Sequence, residues 1–96
     1  MSIRFLSLAD QEIDDAVLWY EELAEGLSRD FLDDLDRTVR LVVTYPDLIT
    51  QTKAGNRQFR FARYPYSLVY AIDRQTIVVL AVARQRHQPR YWVERI

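Results

Sequence analysis

The chain has 96 residues, of which 49% are hydrophobic and 28% are charged, and it contains no cysteine. This composition fits one domain over residues 1–96 with a single core, and it excludes disulfides, thiol chemistry and cysteine-ligated zinc. The net charge of −1 is unevenly spread, because residues 1–50 carry four basic and twelve acidic side chains whereas residues 51–96 carry nine and two.

The chain opens on a predicted strand and a predicted helix. Residues 3–6 alternate in polarity and predict a short strand. Ser7 is then expected to cap a helix with Asp10 as its partner at the third helical position, and Gly26 is expected to end that helix in a left-handed conformation. Apolar side chains at helical spacing predict one buried stripe along it: Ile13, Ala16, Val17, Tyr20, Leu23 and Ala24.

A second helix follows after a short connection. Ser28 is expected to cap it, and it is expected to end at Tyr45 because Pro46 disfavours helical geometry in the residue before it. The short connection predicts that the two helices form an antiparallel hairpin. Three carboxylates of this helix predict a face in contact with solvent: Asp33, Asp34 and Asp36.

Three strand-like runs occupy the second half of the chain, at residues 58–63, 66–72 and 76–83. The first two alternate, whereas the third is apolar on both faces and is therefore predicted to be the central strand. The order β-α-α-β-β-β predicts an α+β fold in which the helical hairpin packs on one face of a small, largely antiparallel sheet. The opposite face of the sheet needs cover from the C-terminal tail or from a partner.

Membrane, metal and cofactor classes find no support in the sequence. The N-terminus has no long apolar segment, and the longest apolar run, residues 77–83, is far below the roughly 18 residues that span a bilayer. We therefore expect no signal peptide and no membrane partner, and a cysteine-free chain is compatible with a cytoplasmic location. Because one histidine and scattered carboxylates show no metal-ligand spacing, no metal and no cofactor are expected.

The residues with the most chemistry directly follow the predicted central strand: Arg84, Arg86, His87, Arg90, Tyr91 and Trp92. Arginines bind phosphates or carboxylates, and aromatic rings stack on bases or fill a partner's pocket. The alternatives are arginines that are solvated or paired with the acidic half of the chain, and rings that only cover the core. His87 is the only side chain with an unperturbed pKa suited to proton transfer at neutral pH, but no second acid–base group lies near it in the sequence.

Two further groups of residues are candidates for a surface role. Leu18 and Trp19 lie off the apolar stripe of the first helix, so they mark either an interface or a helix that is buried on two sides. Arg57, Arg60 and Arg63 form a second basic row, which strand parity divides between two faces. A continuous nucleic-acid-binding stripe is therefore not expected, and any contact with nucleic acid would be indirect.

Several stretches of the chain follow one another in a recognisable order: Ala16-Val17-Leu18-Trp19-Tyr20-Glu21-Glu22, Gly26-Leu27, Phe31-Leu32-Asp33, Tyr45-Pro46, Arg63-Tyr64-Pro65-Tyr66, Val69-Tyr70 and the run from Arg84 to Trp92. Together they resemble the ParE-like branch of the RelE/ParE toxin superfamily. The family ending has histidine where this chain has Arg84, arginine where it has His87, and aspartate where it has Gln88. These departures leave the cluster basic but alter the side chains that would meet a target.

The resemblance implies the toxin of a type II toxin–antitoxin system, paired with a cognate antitoxin that is ParD-like or similar and linked to plasmid stabilisation and stress response. ParE members are associated with poisoning DNA gyrase, and the ParE-like ending favours gyrase as the target here. The six residues after the central strand are then expected to bind the target. Leu18 and Trp19, with the helical hairpin and the open sheet face, are expected to bind the antitoxin.

Two alternatives stay open. A RelE-like ribosome-dependent mRNA endoribonuclease would use His87 as acid or base, with Arg84 and Arg86 steadying the phosphate in the transition state. A non-toxic homologue would keep the fold and bind only its antitoxin.

Overall fold

A computed structural model describes residues 1–85 and 91–95 of the chain. Its elements are β1 (Ser2–Phe5), α1 (Ser7–Leu23), α2 (Leu27–Thr44), β2 (Arg57–Arg60), β3 (Tyr66–Asp73) and β4 (Thr76–Arg84), followed by a 3-10 turn at Val93–Arg95. The predicted order of one strand, two helices and three strands is confirmed. Within the described residues, no helix is both long enough and apolar enough to cross a membrane.

The four strands form one mixed sheet in the order β1-β4-β3-β2. β1 pairs with β4 in parallel, whereas the β2–β3 and β3–β4 pairs are antiparallel. β4 therefore lies between two strands, and residues 77–83 are all buried. The prediction of a central strand from its two apolar faces is confirmed, because only a strand covered on both sides can bury side chains of both parities.

A β-bulge in β4 determines which side chains reach the helices. Val69 pairs with Ala81 and Tyr70 pairs with Val79, so Leu80 has no partner on β3. The bulge shifts the alternation of β4: Val79 and Val82 both belong to the core beneath the helices, although they are three positions apart and strict alternation would place them on opposite faces. Because side chains alternate again after Val82, Arg84 emerges on the same side as the helices.

The two helix starts differ from the predicted caps. α1 is preceded by Leu6, whose N–H donates to the carbonyl of Val79, so the sheet holds Leu6 extended and Ser7 is already helical. α2 is preceded by Gly26, whose left-handed φ of 86° turns the chain two residues before Ser28. Neither serine side chain caps a helix. The left-handed conformation of Gly26 is confirmed, but its predicted position is wrong: α1 already ends at Leu23, with Ala24 extended after it, and Gly26 is the residue that precedes α2. α2 ends before Tyr45 as predicted.

The predicted apolar stripe of α1 is correct as far as Tyr20 and wrong at its end. Ala16 and Tyr20 are buried, and Ile13 and Val17 pack against the same core. Leu23 is 54% exposed, and Ala24 is also exposed. The helix ends at Leu23, and its last turn lies beyond the part of the core that α1 packs against.

An aromatic cluster fills the space between the helices and the sheet. Phe31 stacks on Tyr20 with ring centroids 5.6 Å apart, and it meets the ring of Tyr66 edge-on at 5.1 Å. Phe61 and Tyr64 complete the cluster at 6.0 Å and 5.9 Å from Phe31. Phe31 is fully buried at its centre, so this ring joins α1, α2 and the residues before β3.

The opposite face of the sheet is partly covered by the C-terminal tail, one of the two covers that the sequence predicted. Trp92 is 6% exposed and packs in a second apolar cluster, with Leu6 and Tyr91 at its margin. The strand residues of this cluster all point away from the helices: Val69, Val78, Leu80, Ala81 and Ala83.

Asp34 corrects the expectation that the acidic residues of α2 face solvent. Asp33 and Asp36 are exposed, but Asp34 is 3% exposed. Its Oδ2 accepts hydrogen bonds from the backbone N–H groups of Arg63 (2.9 Å) and Tyr64 (2.8 Å). Helical spacing from Phe31 places Asp34 on the buried face, so its carboxylate holds the turn that leads into β3.

Candidate functional site

Arg84 and Trp19 lie together where β4 ends beside α1. The guanidinium carbon of Arg84 is 5.6 Å from the centre of the Trp19 ring, within the range of a cation–π contact. Trp19 is 46% exposed, Arg84 is exposed, and no carboxylate of the described residues forms an ion pair with Arg84. A predicted target-binding residue and a predicted antitoxin-binding residue therefore share one accessible surface.

An open cleft of about 260 Å³ separates α1 from the end of β4. Its lining combines two carboxylates, one guanidinium and three aromatic rings: Glu12, Asp15, Ala16, Trp19, Tyr66, Val82, Arg84 and Tyr91. Small-molecule pockets usually measure about 300–1,000 Å³ and enclose most of the ligand. This smaller, open cleft suits a side chain of a protein partner better than a metabolite.

The structure places the six predicted target-binding residues in different settings. Arg84 is exposed, whereas Tyr91 is half-buried and Trp92 is buried. The buried indole N–H of Trp92 has no hydrogen-bond partner among the residues that the structure describes, and the ring packs against apolar side chains of the sheet. The remaining three, Arg86, His87 and Arg90, lie outside the described residues.

The predicted antitoxin anchors on α1 are both exposed. Leu18 is 59% exposed and Trp19 is 46% exposed, so α1 is not buried on two sides at this position. Leu23 extends the same exposed apolar surface at the end of the helix. Large apolar side chains gathered on an accessible helix surface are typical of a protein interface.

The three arginines of the second basic row each bind another residue of the chain. Arg57 donates to the carbonyl of Ile49 (2.9 Å) and pairs with Asp47. Arg63 pairs with Asp30 at 3.5 Å. Arg60 donates to the side-chain oxygen of Gln85 at 3.1 Å. The ion pairs of Arg57 and Arg63 with carboxylates of the first half favour mutual neutralisation of the two halves over a basic stripe that is open to nucleic acid.

Glu12 is a central residue of this region that the sequence reasoning missed. Its carboxylate accepts hydrogen bonds from the Val82 N–H, the Tyr91 hydroxyl and the Arg95 guanidinium. The available signal was its position, because Glu12 follows the buried Ala9 by three residues and precedes the buried Ala16 by four. A carboxylate at that spacing needs a partner inside the fold.

Two tyrosines beside the cleft are held in their neutral form. Burial, with a hydrogen bond to Tyr20, raises the pKa of Tyr66 to about 12. Burial also raises the pKa of Tyr91, and its hydrogen bond to Glu12 raises it further. The raised pKa values keep both phenols protonated to a higher pH than an ordinary tyrosine, and Tyr91 donates its hydroxyl hydrogen to Glu12.

Comparisons with known proteins agree with this fold and this order of elements. The family model described as "ParE toxin of type II toxin-antitoxin system, parDE" matches residues 3–89. Among solved structures, a chain of the "Chromosomal ParDE TA system from P. aeruginosa" is similar with a TM-score of 0.73 and 19% identity, over 88% of this chain and 95% of that chain. No curated protein has a sequence that matches this chain.

The two matches carry different weight. At 19% identity, the structural likeness shows the fold alone. The family model spans the helical hairpin, nearly all of the sheet and residues 85–89 after β4. This chain therefore belongs to the family of ParE toxins of type II toxin–antitoxin systems.

Proposed function

We propose that this ParE toxin inhibits DNA gyrase and that a cognate antitoxin neutralises it. The observation that carries the proposal is the exposed guanidinium of Arg84, which forms a cation–π contact with Trp19 at the end of the buried central strand. A cation mounted on a rigid strand is positioned before binding, so little conformational freedom is lost when a partner meets it. The ParE-like sequence of the residues after β4 favours gyrase as that partner.

The proposed target surface begins at Arg84 and includes Arg86, His87 and Arg90. Tyr91 and Trp92 belong to it as the ring residues that close this stretch of sequence. Since both rings are turned into the fold, we assign them to supporting the surface, and we assign contact with the target to the cations. Interfacial arginines are frequent hot spots because one guanidinium forms several directed hydrogen bonds.

The proposed antitoxin surface is the exposed apolar side of α1, with Leu18 and Trp19 as anchors. Tryptophan is enriched among interface hot spots because it buries a large, rigid surface. The contact between Trp19 and Arg84 joins this surface to the target surface. An antitoxin segment bound at Trp19 would therefore also restrict access to Arg84.

Gyrase inhibition is tested with purified toxin in a DNA supercoiling assay. The wild-type toxin is expected to inhibit supercoiling, and Arg84→Ala is expected to raise the half-inhibitory concentration by about tenfold, since a contact worth roughly 1.4 kcal/mol changes affinity tenfold. Arg29→Ala, which removes an exposed arginine from the start of α2, is the control and should inhibit as the wild type does. Unchanged supercoiling at excess wild-type toxin would exclude gyrase as the target.

The antitoxin surface is tested with the protein encoded beside the toxin gene. Trp19→Ala is expected to weaken the complex by about 2 kcal/mol or more, which is about 30-fold in Kd, as measured by isothermal titration calorimetry. Leu48→Ala, at an apolar residue that is 62% exposed after α2, should leave the affinity unchanged. Equal affinities for the Trp19→Ala and wild-type toxins would remove Trp19 from the interface.

A further inference from the structure

Glu12 joins the middle of α1 to the end of β4 and to the C-terminal tail. Its Oε1 accepts the Val82 N–H and one Arg95 nitrogen, each at 3.0 Å. Its Oε2 accepts the Tyr91 hydroxyl and the second Arg95 nitrogen, the latter at 3.3 Å. Both oxygens are thus used, and the ion pair is largely shielded, with side-chain exposures of 20% for Glu12 and 15% for Arg95.

The partners of Glu12 lie on the edge of β4 that β1 leaves open. β1 pairs with β4 only as far as Phe5 and Val79, after which the chain turns into α1. Beyond that point, Glu12 accepts the Val82 N–H, and Arg95 donates to the Leu80 carbonyl at 3.0 Å. An exposed strand edge has unpaired backbone groups, and here two side chains occupy the place of the missing strand.

The same contacts hold the C-terminal tail against the sheet. The guanidinium of Arg95 lies 5.0 Å from the ring centre of Tyr91, and the Arg95 N–H donates to the Trp92 carbonyl. Trp92 itself is buried in the second apolar cluster. Tyr91, which supports the proposed target surface, is therefore held directly by a carboxylate that lies 79 residues away in the chain. Trp92 is linked to the same carboxylate indirectly, through its neighbours Tyr91 and Arg95.

We propose that Glu12 is a positioning residue of the toxin: its carboxylate fixes residues 91–95 on the open edge of β4, and toxicity requires this attachment. Glu12 forms hydrogen bonds to the strand edge, to Tyr91 and to Arg95 at once. Glutamine at this position has one acceptor oxygen, no charge, and an amide that meets donors. The proposal rests on the proposed toxic activity but not on which target is inhibited.

The attachment is measured first by the fluorescence of Trp92. In a Trp19→Phe background, Trp92 is the only tryptophan, and its buried ring should emit at short wavelength and resist quenching by acrylamide. Glu12→Gln is expected to shift the emission to longer wavelength and to increase quenching. Glu22→Gln, which neutralises an exposed carboxylate on the same helix, is the control and should leave both unchanged.

Toxicity is measured in the Trp19-containing protein by growth arrest after induced expression without antitoxin. Glu12→Gln is expected to lose growth arrest while it keeps a cooperative thermal transition and binds the antitoxin as the wild type does. Arg95→Met leaves the contacts of Glu12 with Val82 and Tyr91 in place but removes those that Arg95 makes with Glu12 and Leu80, so it should also reduce growth arrest. If Glu12→Gln does not fold, Arg95→Met still tests whether toxicity requires the attached tail.

The outcomes separate this inference from the proposed target. An unshifted Trp92 emission in both Glu12→Gln and Arg95→Met would overturn it, as would full growth arrest by a variant whose Trp92 has become exposed. Loss of arrest together with exposure of Trp92 would support it, even if the wild-type toxin leaves gyrase unaffected. In that case gyrase would be excluded as the target, and the role of Glu12 in toxicity would still be supported.

Discussion

Phe31→Ala is expected to lower the free energy of unfolding by about 3–5 kcal/mol, the range found when a buried aromatic ring is truncated. Phe31 is 0% exposed and contacts the rings of Tyr20, Phe61, Tyr64 and Tyr66. The substitution removes the apolar contacts of the ring and leaves a cavity among four aromatic side chains that are themselves too rigid to collapse into it. The loss therefore combines the transfer of the ring with the cavity that remains.

The size of this effect matters because small domains have a total stability of about 5–15 kcal/mol. Urea unfolding followed by circular dichroism measures the change, with Leu32→Ala as the control at the neighbouring position. Leu32 is 41% exposed, so its truncation should change the stability by about 0.5 kcal/mol or less. Equal unfolding midpoints for the two variants would show that Phe31 is not at the centre of the core.

Asp34→Ala is expected to lower the free energy of unfolding by about 3 kcal/mol, since hydrogen bonds to a charged group contribute about 1.5–3 kcal/mol each. The variant leaves the N–H groups of Arg63 and Tyr64 without their acceptor. It also detaches α2 from the turn before β3. Both bonds are only partly buried, so water replaces part of the loss, and the estimate stays below the sum of the two upper values.

Matched variants separate the acceptor from the charge. In Asp34→Asn an amide oxygen still accepts, so this variant should lose less stability than Asp34→Ala, and the exposed Asp33→Ala should lose almost none. Amide hydrogen exchange gives a local measure, because the Arg63 and Tyr64 N–H groups should exchange faster in Asp34→Ala. Unchanged protection of both amides would mean that Asp34 does not hold the turn.

The turn matters for function through the pairing that follows it. Tyr66, the first residue of β3, pairs with Arg84 at the end of β4. The Gln85 N–H donates to the carbonyl of Pro65 at 3.0 Å, which ties the exit of β4 to the same turn. Asp34 thus holds one side of the turn whose other side pairs with the end of β4, and loosening the turn would loosen the strand end on which the proposed target surface begins.

Local patterns in the sequence were sufficient where one segment determines its own structure. The two apolar faces of residues 77–83 predicted the central strand, and Pro46 predicted the end of α2. Gly26 was correctly predicted to be left-handed, because only glycine adopts that conformation without steric cost. The resemblance to ParE toxins likewise rested on short stretches in a fixed order, and the family model confirms it.

Local patterns did not predict the helix caps, the direction of Arg84 or the contacts of Asp34, because these depend on residues outside the segment that carries the pattern. The residues that precede the two helices are Leu6 and Gly26 instead of the predicted Ser7 and Ser28, because Leu6 is held extended by its hydrogen bond to Val79 and Gly26 forms the turn before α2. The bulge at Leu80 placed Arg84 on the helix side, which alternation alone does not predict. Asp34 accepts hydrogen bonds from the N–H groups of Arg63 and Tyr64, which lie 29 and 30 residues further along the chain. The sequence of the helix therefore gave no indication of these two contacts.

By itself, then, the sequence determined the elements, their order and the family, because periodicity, proline and glycine act over a few neighbouring residues. Tertiary structure alone decided that Glu12 binds groups 70, 79 and 83 residues away, and that Trp92 turns inward while Arg84 stays on the surface. Hydrogen bonds and packing act only at contact distance, so the sequence around Glu12 or Trp92 does not indicate partners that only the folded sheet brings close. The edge that β1 leaves open on β4 is the feature that brings them there.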